Sequence, residues 1–235
     1  MSRVLYLIRH GRSDFGSVEM SPTARGDQWD PPLSDEGRRQ AQSLAARLRV
    51  MELDRVTVYC SPLRRTRETV APWADVAGVD VVFDDDLVEA HIGGWEGLPF
   101  EEIVASDADL VHRIRNQQPI WLRAPGGESQ RDFRDRVISS IDAILGNHPD
   151  GDVVVVAHGG VINAYCGEVL GLPSAMFFLP ENTSINSVVV DGDRRTVRFL
   201  NDIAHLTDPQ LFEDPEEPSL YSAGAREALE PDAKE

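Results

Sequence analysis

The feature that most narrows the fold of this chain is a set of short, largely apolar segments, most of them leading into a helical period. Val153 to Ala157 reads VVVVA and Val4 to Ile8 reads VLYLI. Such runs, with no polar alternation, suit strands covered on both faces. Arg55 to Cys60 (RVTVYC) and Val79 to Phe83 are two further strands. Ser34 is placed to cap a helix in which Ala41, Leu44, Ala45 and Leu48 share one face. A second helix is expected from Leu63 to Ala77. A third starts at Ser129, boxed with Asp132, and its apolar face is Phe133, Val137, Ile141 and Leu145. A fourth covers Val161 to Leu170. Ser187 to Val190 and Thr196 to Leu200, joined through Asp191-Gly192, read as a closing hairpin. Asp84 to Gly127 is irregular, rich in Gly and Pro, with one short helix near Phe100. There is no internal repeat. The alternation predicts an α/β fold of three layers, α/β/α, with a mainly parallel sheet flanked by helices.

Charge narrows the partners. The 235 residues carry 23 basic against 40 acidic side chains, a formal net charge of -17. That balance excludes a nucleic-acid partner or an anionic membrane surface, which call for a basic face. Of the basic residues, Lys234 is the sole lysine; base composition explains most of that bias, and the functional reading is that a few arginines are forks for phosphate or carboxylate. After Thr207 the composition changes: residues 208–235 hold nine acids against two bases, with four prolines. We divide the chain into a folded domain, 1–207, and an acidic, flexible tail, 208–235. Cys60 and Cys166 form no disulfide framework or metal spacing, and Cys60 reads as a buried, inert thiol. The first apolar run is too short for a signal peptide and none is long enough to cross a membrane, so a cytoplasmic location is expected.

In an open parallel sheet, ligands bind beyond the carboxyl ends of the strands. After the first strand come Arg9, His10 and Gly11; after the second, Ser61 to Arg65; after VVVVA, His158, Gly159 and Gly160. Each has an ordinary explanation singly, as a cap, a core histidine or a solvated arginine. Together they bring two histidines and several arginines to one sheet edge, beside helix starts that favour an anion.

In order, LIRHGRS, SPLRRTRET, LVEAHIGGWEG, APGGES and VVAHGG resemble the motifs of the histidine phosphatase superfamily, the phosphoglycerate mutase-like fold. The similarity runs from about Arg3 to Leu206, with NTSINSV and NDIAHL as closing strands. It implies that the second histidine-bearing strand lies beside the first, and that His10 is the nucleophile. Arg9, Arg65 and His158 would bind the phosphoryl group with Ser13 and Gly159, and Glu89 would be the proton donor. Spacing alone leaves Arg64, Arg65 and Arg67 open; the family pattern selects Arg65. The chemistry needs these types. A neutral imidazole attacks phosphorus while its other nitrogen donates to a backbone carbonyl. Two guanidiniums and a protonated second histidine neutralise the equatorial oxygens. The acid must hold its proton longer than a free glutamate with a pKa of about 4.3.

The resemblance therefore implies a phosphatase hydrolysing a small phosphomonoester through phospho-His10, with no metal and no other cofactor, and a homodimer formed through an edge strand. Two alternatives are a phosphoglycerate mutase and a non-catalytic phospho-ligand binder. Glu96 to Pro125 is short and lacks lysine, though it holds Arg113, Arg115 and Arg123, which favours the phosphatase; the retention of all five key residues disfavours the binder. Some positions depart from the family pattern. Asp14, Phe15 and Gly16 follow Ser13 where an asparagine is usual, Arg25-Gly26 replaces a glutamine-glycine pair, and Arg12 replaces an acid. Trp29, Trp95 and Trp121 lie in loops expected over the strand ends, as a wall for the leaving group or as packing. His91, His112, His148 and His205 are expected to be structural or exposed.

Overall fold

The computed structural model describes residues 2–17, 19–107, 109–116, 123–173 and 176–208. Trp121 and the acidic tail beyond Asp208 lie outside the described residues. Strands β1 (Arg3–Arg9), β2 (Met20–Thr23) and β3 (Gly26–Trp29) precede helix α1 (Asp35–Val50). Then come β4 (Thr57–Cys60), α2 (Arg64–Ala77), β5 (Val81–Phe83), α3 (Phe100–Ser106) and α4 (Leu110–Arg115). The rest is α5 (Gln130–Asn147), β6 (Val153–Ala157), α6 (Gly159–Val169), β7 (Ile185–Asp191), β8 (Arg194–Asp202) and α7 (Ala204–Thr207).

The main sheet has the order β5-β4-β6-β1-β7-β8. Its first four strands are parallel, β7 runs antiparallel to β1, and β8 runs antiparallel to β7. The strand pleat decides the layers. Leu5, Leu7, Val153 and Val155 point to the face covered by α5 and α6, where they meet Phe133, Val137 and Tyr165. Tyr6, Ile8, Val154 and Val156 point to the opposite face, against Leu44, Leu48, Val70 and Trp73 of α1 and α2. Burying each large side chain contributes about 1.5–3 kcal/mol, so covering both faces of the central strands is what makes their continuous apolar runs stable. The three-layer α/β/α architecture is therefore as expected. Cys60 and Cys166 are fully buried free thiols, and burial pushes both pKa values up to about 12. Among the described residues no helix is long and apolar enough to cross a membrane.

Several boundaries move, for local reasons. Arg55 has φ 43°, outside the strand region, so β4 begins at Thr57 rather than Arg55. The Val79 amide donates to the Ala74 carbonyl at the end of α2, which delays β5 to Val81. Helix α6 begins at Gly159, two residues before the expected Val161, directly after the second site histidine. Among the described residues after Asp84 there are two short α-helices, α3 and α4, and two 3-10 turns, Asp85–Leu87 and Gly93–Trp95, where one short helix was expected. The β2–β3 hairpin is not predicted at all. MSPTARGDQW contains a proline and no apolar alternation, and contacts from elsewhere in the chain hold it: the Trp29 amide donates to Glu96 at 2.8 Å and Arg65 donates to the Trp29 carbonyl at 2.9 Å.

Candidate active site

Strand register creates the centre of the site. Arg9 pairs with Ala157 across β1 and β6, so the next residues, His10 and His158, leave the sheet side by side. Their ring centroids are 5.2 Å apart at 60°. His10 Nδ1 lies 2.7 Å from the carbonyl of Gly11. A carbonyl only accepts, so Nδ1 carries the proton and Nε2 is left with a free lone pair. Burial, with Arg65 and Arg9 nearby, holds the His10 pKa well below the usual 6.5, against the opposing pull of the Gly11 carbonyl. The Gly11 amide is anchored by Thr69 Oγ1 of α2 at 2.9 Å. Only glycine fits there: a Cβ on Gly11 would stand 2.7 Å from the Gly37 carbonyl oxygen at the start of α1.

Arg65 is the arginine that enters the site. It is buried in the first turn of α2, where its guanidinium donates to the Trp29 carbonyl and lies 3.7 Å from Asp30. The Asp30 carboxylate also accepts the Arg64 amide at 2.6 Å, so one buried acid caps α2 and holds Arg65. Arg64 instead points away to Glu68 and Glu19, and Arg67 is exposed. Arg9 donates to the Pro180 carbonyl at 2.5 Å, and its buried Nε has no protein partner. Burial lowers the pKa of both guanidiniums from the ordinary value, opposed by Glu89 in each case, and arginine stays charged regardless.

Arg9, His10, Ser13, Arg65 and Glu89 line one cleft of about 200 Å³. Gly159 does not line it; it packs behind Arg9, where a Cβ would find ordinary contact at 3.7 Å from Nε. His158 is fully buried beside His10, with Nε2 2.8 Å from Ser61 Oγ. Burial first, then Arg65, His10 and Arg9, holds its pKa well below 6.5. A protonated second histidine is therefore not what the free site holds at neutral pH. Burial, the neighbouring guanidiniums and the His10 imidazole disfavour the proton until an anion offsets them.

Glu89 reaches the same cleft from the loop after β5. Its carboxylate accepts the Ala90 amide at 2.9 Å and the Gly160 amide, at the start of α6, at 3.0 Å. The loop that carries it is gripped by Arg136 of α5, which donates to the carbonyls of Asp86, Val88 and Glu89 and forms a bidentate pair with Glu128. Gln28 of β3 donates from Nε2 to the Glu89 carbonyl at 3.0 Å. Behind His10, Asn182 Nδ2 donates to the His10 carbonyl, and the amide of Thr183, which has φ 59°, donates to the Arg9 carbonyl. Among the described residues no three His, Cys, Asp or Glu side chains gather to hold a metal ion.

Sequence reasoning missed Asp30, Gln28, Ser61, Arg136 and Asn182 as parts of the site. A signal existed for two of them. Asp30 directly precedes Pro31 and Pro32 and the Ser34 cap of α1, and Arg136 falls on the apolar face of α5 between Phe133 and Val137, where a solvated arginine does not belong. Arg12 pairs with Glu36 and Arg25 with Asp86.

A profile described as the histidine phosphatase superfamily, branch 1, matches residues 5–203. The chain belongs to that superfamily. It is 30% identical over 205 residues to phosphoserine phosphatase 1 of Hydrogenobacter thermophilus, covering 86% of this chain and 93% of that one. It is 31% identical over 205 residues to phosphoglycerate mutase-like protein 4 of Arabidopsis thaliana, covering 86% of each. Among solved structures, mycobacterial glucosyl-3-phosphoglycerate phosphatase, in complex with VO3, superposes with a TM-score of 0.70 at 29% identity, covering 85% of this chain and 99% of that one. The phosphoglycerate mutase-like fold and the placement of β6 beside β1 in this histidine phosphatase both agree with the resemblance seen in the motifs.

Proposed function

We propose that this member of the superfamily is a phosphatase that hydrolyses a small phosphomonoester through a phosphohistidine on His10. The observation that carries the reading is the tautomer of His10: with Nδ1 committed to the Gly11 carbonyl, Nε2 is the nucleophilic atom. Nε2 forms a bond to phosphorus as the ester P–O bond breaks. Glu89 gives its proton to the departing alkoxide. The resulting carboxylate then takes a proton from water as that water attacks the phosphohistidine, which returns His10 and releases phosphate. Arg9 and Arg65 hold the phosphoryl oxygens, and His158 gains a proton as the anion enters.

Hydrolysis is favoured over mutase chemistry because Arg113 and Arg123 of the stretch after Glu96 are engaged by Asp109 and Asp107. A cytoplasmic location fits the free, buried state of Cys60 and Cys166.

The test is to trap labelled phosphoenzyme with rapid acid quench, in the native protein and in His10→Ala. The variant is expected to give no phosphoenzyme and to lose about 10³-fold or more in turnover. Hydrolysis retained in His10→Ala would overturn the mechanism. Interconversion of 3-phosphoglycerate with negligible hydrolysis would replace it with the mutase reading.

A further inference from the structure

Beyond the phosphoryl pocket, the cleft has a wall, and the wall has a chemistry. Phe15 is 69% exposed at the cleft mouth, and its ring lies 5.7 Å from that of Trp29 at a tilt of 39°. Trp29 is fixed, since its Nε1 donates to the Ser17 carbonyl at 2.7 Å. Ile92 continues the apolar surface, and one side chain ties the two parts together: Glu96 accepts the Trp29 amide at 2.8 Å and the Ile92 amide at 2.9 Å. A rigid aromatic and aliphatic strip beside a polar centre is a surface for a ring.

The charges define what that ring must not carry. Among the described residues lining the cleft, Arg9 and Arg65 are the only arginines and there is no lysine. Both are needed for the phosphoryl group, and Arg65 is shared with Asp30. Apart from His10 and the Ser13 hydroxyl, the remaining polar side-chain groups are acceptors: the Glu89 and Glu96 carboxylates, and Gln28 Oε1, which is buried and has no partner. The orientation of Gln28 is set, because its Nε2 donates to the Glu89 carbonyl. A second anionic group on the substrate would meet three acceptors and no cation.

We infer that the leaving group selected by this site is a ring-bearing alcohol without a second anionic group. The inference rests on the phosphatase reading above. It also separates this chain from relatives whose named substrates carry a carboxylate.

Three esters with alkoxide leaving groups of similar basicity form the test: benzyl phosphate, 4-carboxybenzyl phosphate and ethyl phosphate. In kcat/KM, benzyl phosphate is expected to exceed ethyl phosphate about tenfold. It should exceed the carboxylate-bearing ester by about tenfold as well. Phe15→Ala should collapse the benzyl-to-ethyl ratio, and Phe15→Arg, which brings a cation to the rim, should narrow the gap between benzyl and 4-carboxybenzyl phosphate. Ratios near one in the native protein, or ratios unmoved by both Phe15 variants, overturn the substrate inference. If His10→Ala still abolishes hydrolysis of all three esters, the phosphatase reading survives that failure. No turnover of any ester by the native protein overturns both.

Discussion

Gly160 donates its amide to the Glu89 carboxylate at 3.0 Å, so the helix that begins beside the second histidine also holds the acid that faces the first. The two residues are 71 positions apart, and their approach leaves no room for a methyl group: a Cβ on Gly160 would fall on the Glu89 carboxylate and 3.1 Å from Phe133.

Gly160→Ala is therefore expected to displace Glu89 without removing it. A displacement on the order of 1 Å lowers kcat by about 10²-fold, with KM changed much less. Steady-state kinetics beside a thermal melt decide the matter. A native kcat in a variant that folds would show that the contact does not place the acid.

Arg136 tests the other grip on the Glu89 loop. All five of its N–H directions are used, two on Glu128 and three on backbone carbonyls, and both side chains of the pair are nearly buried. Arg136→Met would leave Glu128 buried and unpaired, at a cost of about 3–5 kcal/mol. For a domain of this size that lowers Tm by about 6–20 °C. Arg136→Lys should not rescue it, because an ammonium cannot reproduce the fork. A melting temperature for Arg136→Met within about 2 °C of the native value would contradict the assignment.

Three buried histidines make stability and activity depend on pH in a stated direction. Burial, then Arg65, lowers His10 and His158 well below 6.5, and burial brings His205 down to about 4. All three are neutral in the folded protein near pH 6, whereas the unfolded chain protonates them as pH falls through 6.5. Stability is thus fully present above 6.5 and is lost as pH drops from 6.5 toward the folded pKa values. Calorimetry at about pH 5.5 should record an uptake on unfolding that includes about three protons from these groups, and His205→Gln should reduce it by about one. The same lowering keeps His10 nucleophilic, so the acid limb of kcat/KM should lie below pH 6.5. An acid limb near 7, or unfolding without proton uptake, would count against these assignments.

The gathering of two histidines and the arginines at one sheet edge was readable from position because strand ends are local. His158 follows its apolar run at once and His10 follows its own after the single residue Arg9, and the rule that ligands sit at carboxyl ends needs no distances. Arg65 was distinguished from Arg64 and Arg67 only by resemblance, and the structure separates them physically, through Asp30 on one side and Glu19 and Glu68 on the other. Glycine choice was harder. Gly159 was expected to bind substrate; it does not line the cleft, and the amide that reaches the Glu89 carboxylate belongs to Gly160, because the turn of the helix, not the order in sequence, aims each N–H.

By itself, then, the sequence determined the layers, the parallel core and the edge where the chemistry gathers, since hydrophobic period and strand ends are properties of short segments. Tertiary structure alone decided how the site is held and what it admits. The β2–β3 hairpin that supplies Gln28 and Trp29 has no apolar period of its own and depends on Glu96 and Arg65 from distant segments. His158 is neutral because of its burial and the guanidinium beside it, neither of which is visible in VVAHGG. Those are long-range effects of packing and electrostatics, set only when β1, β6, α2 and the Glu89 loop come together.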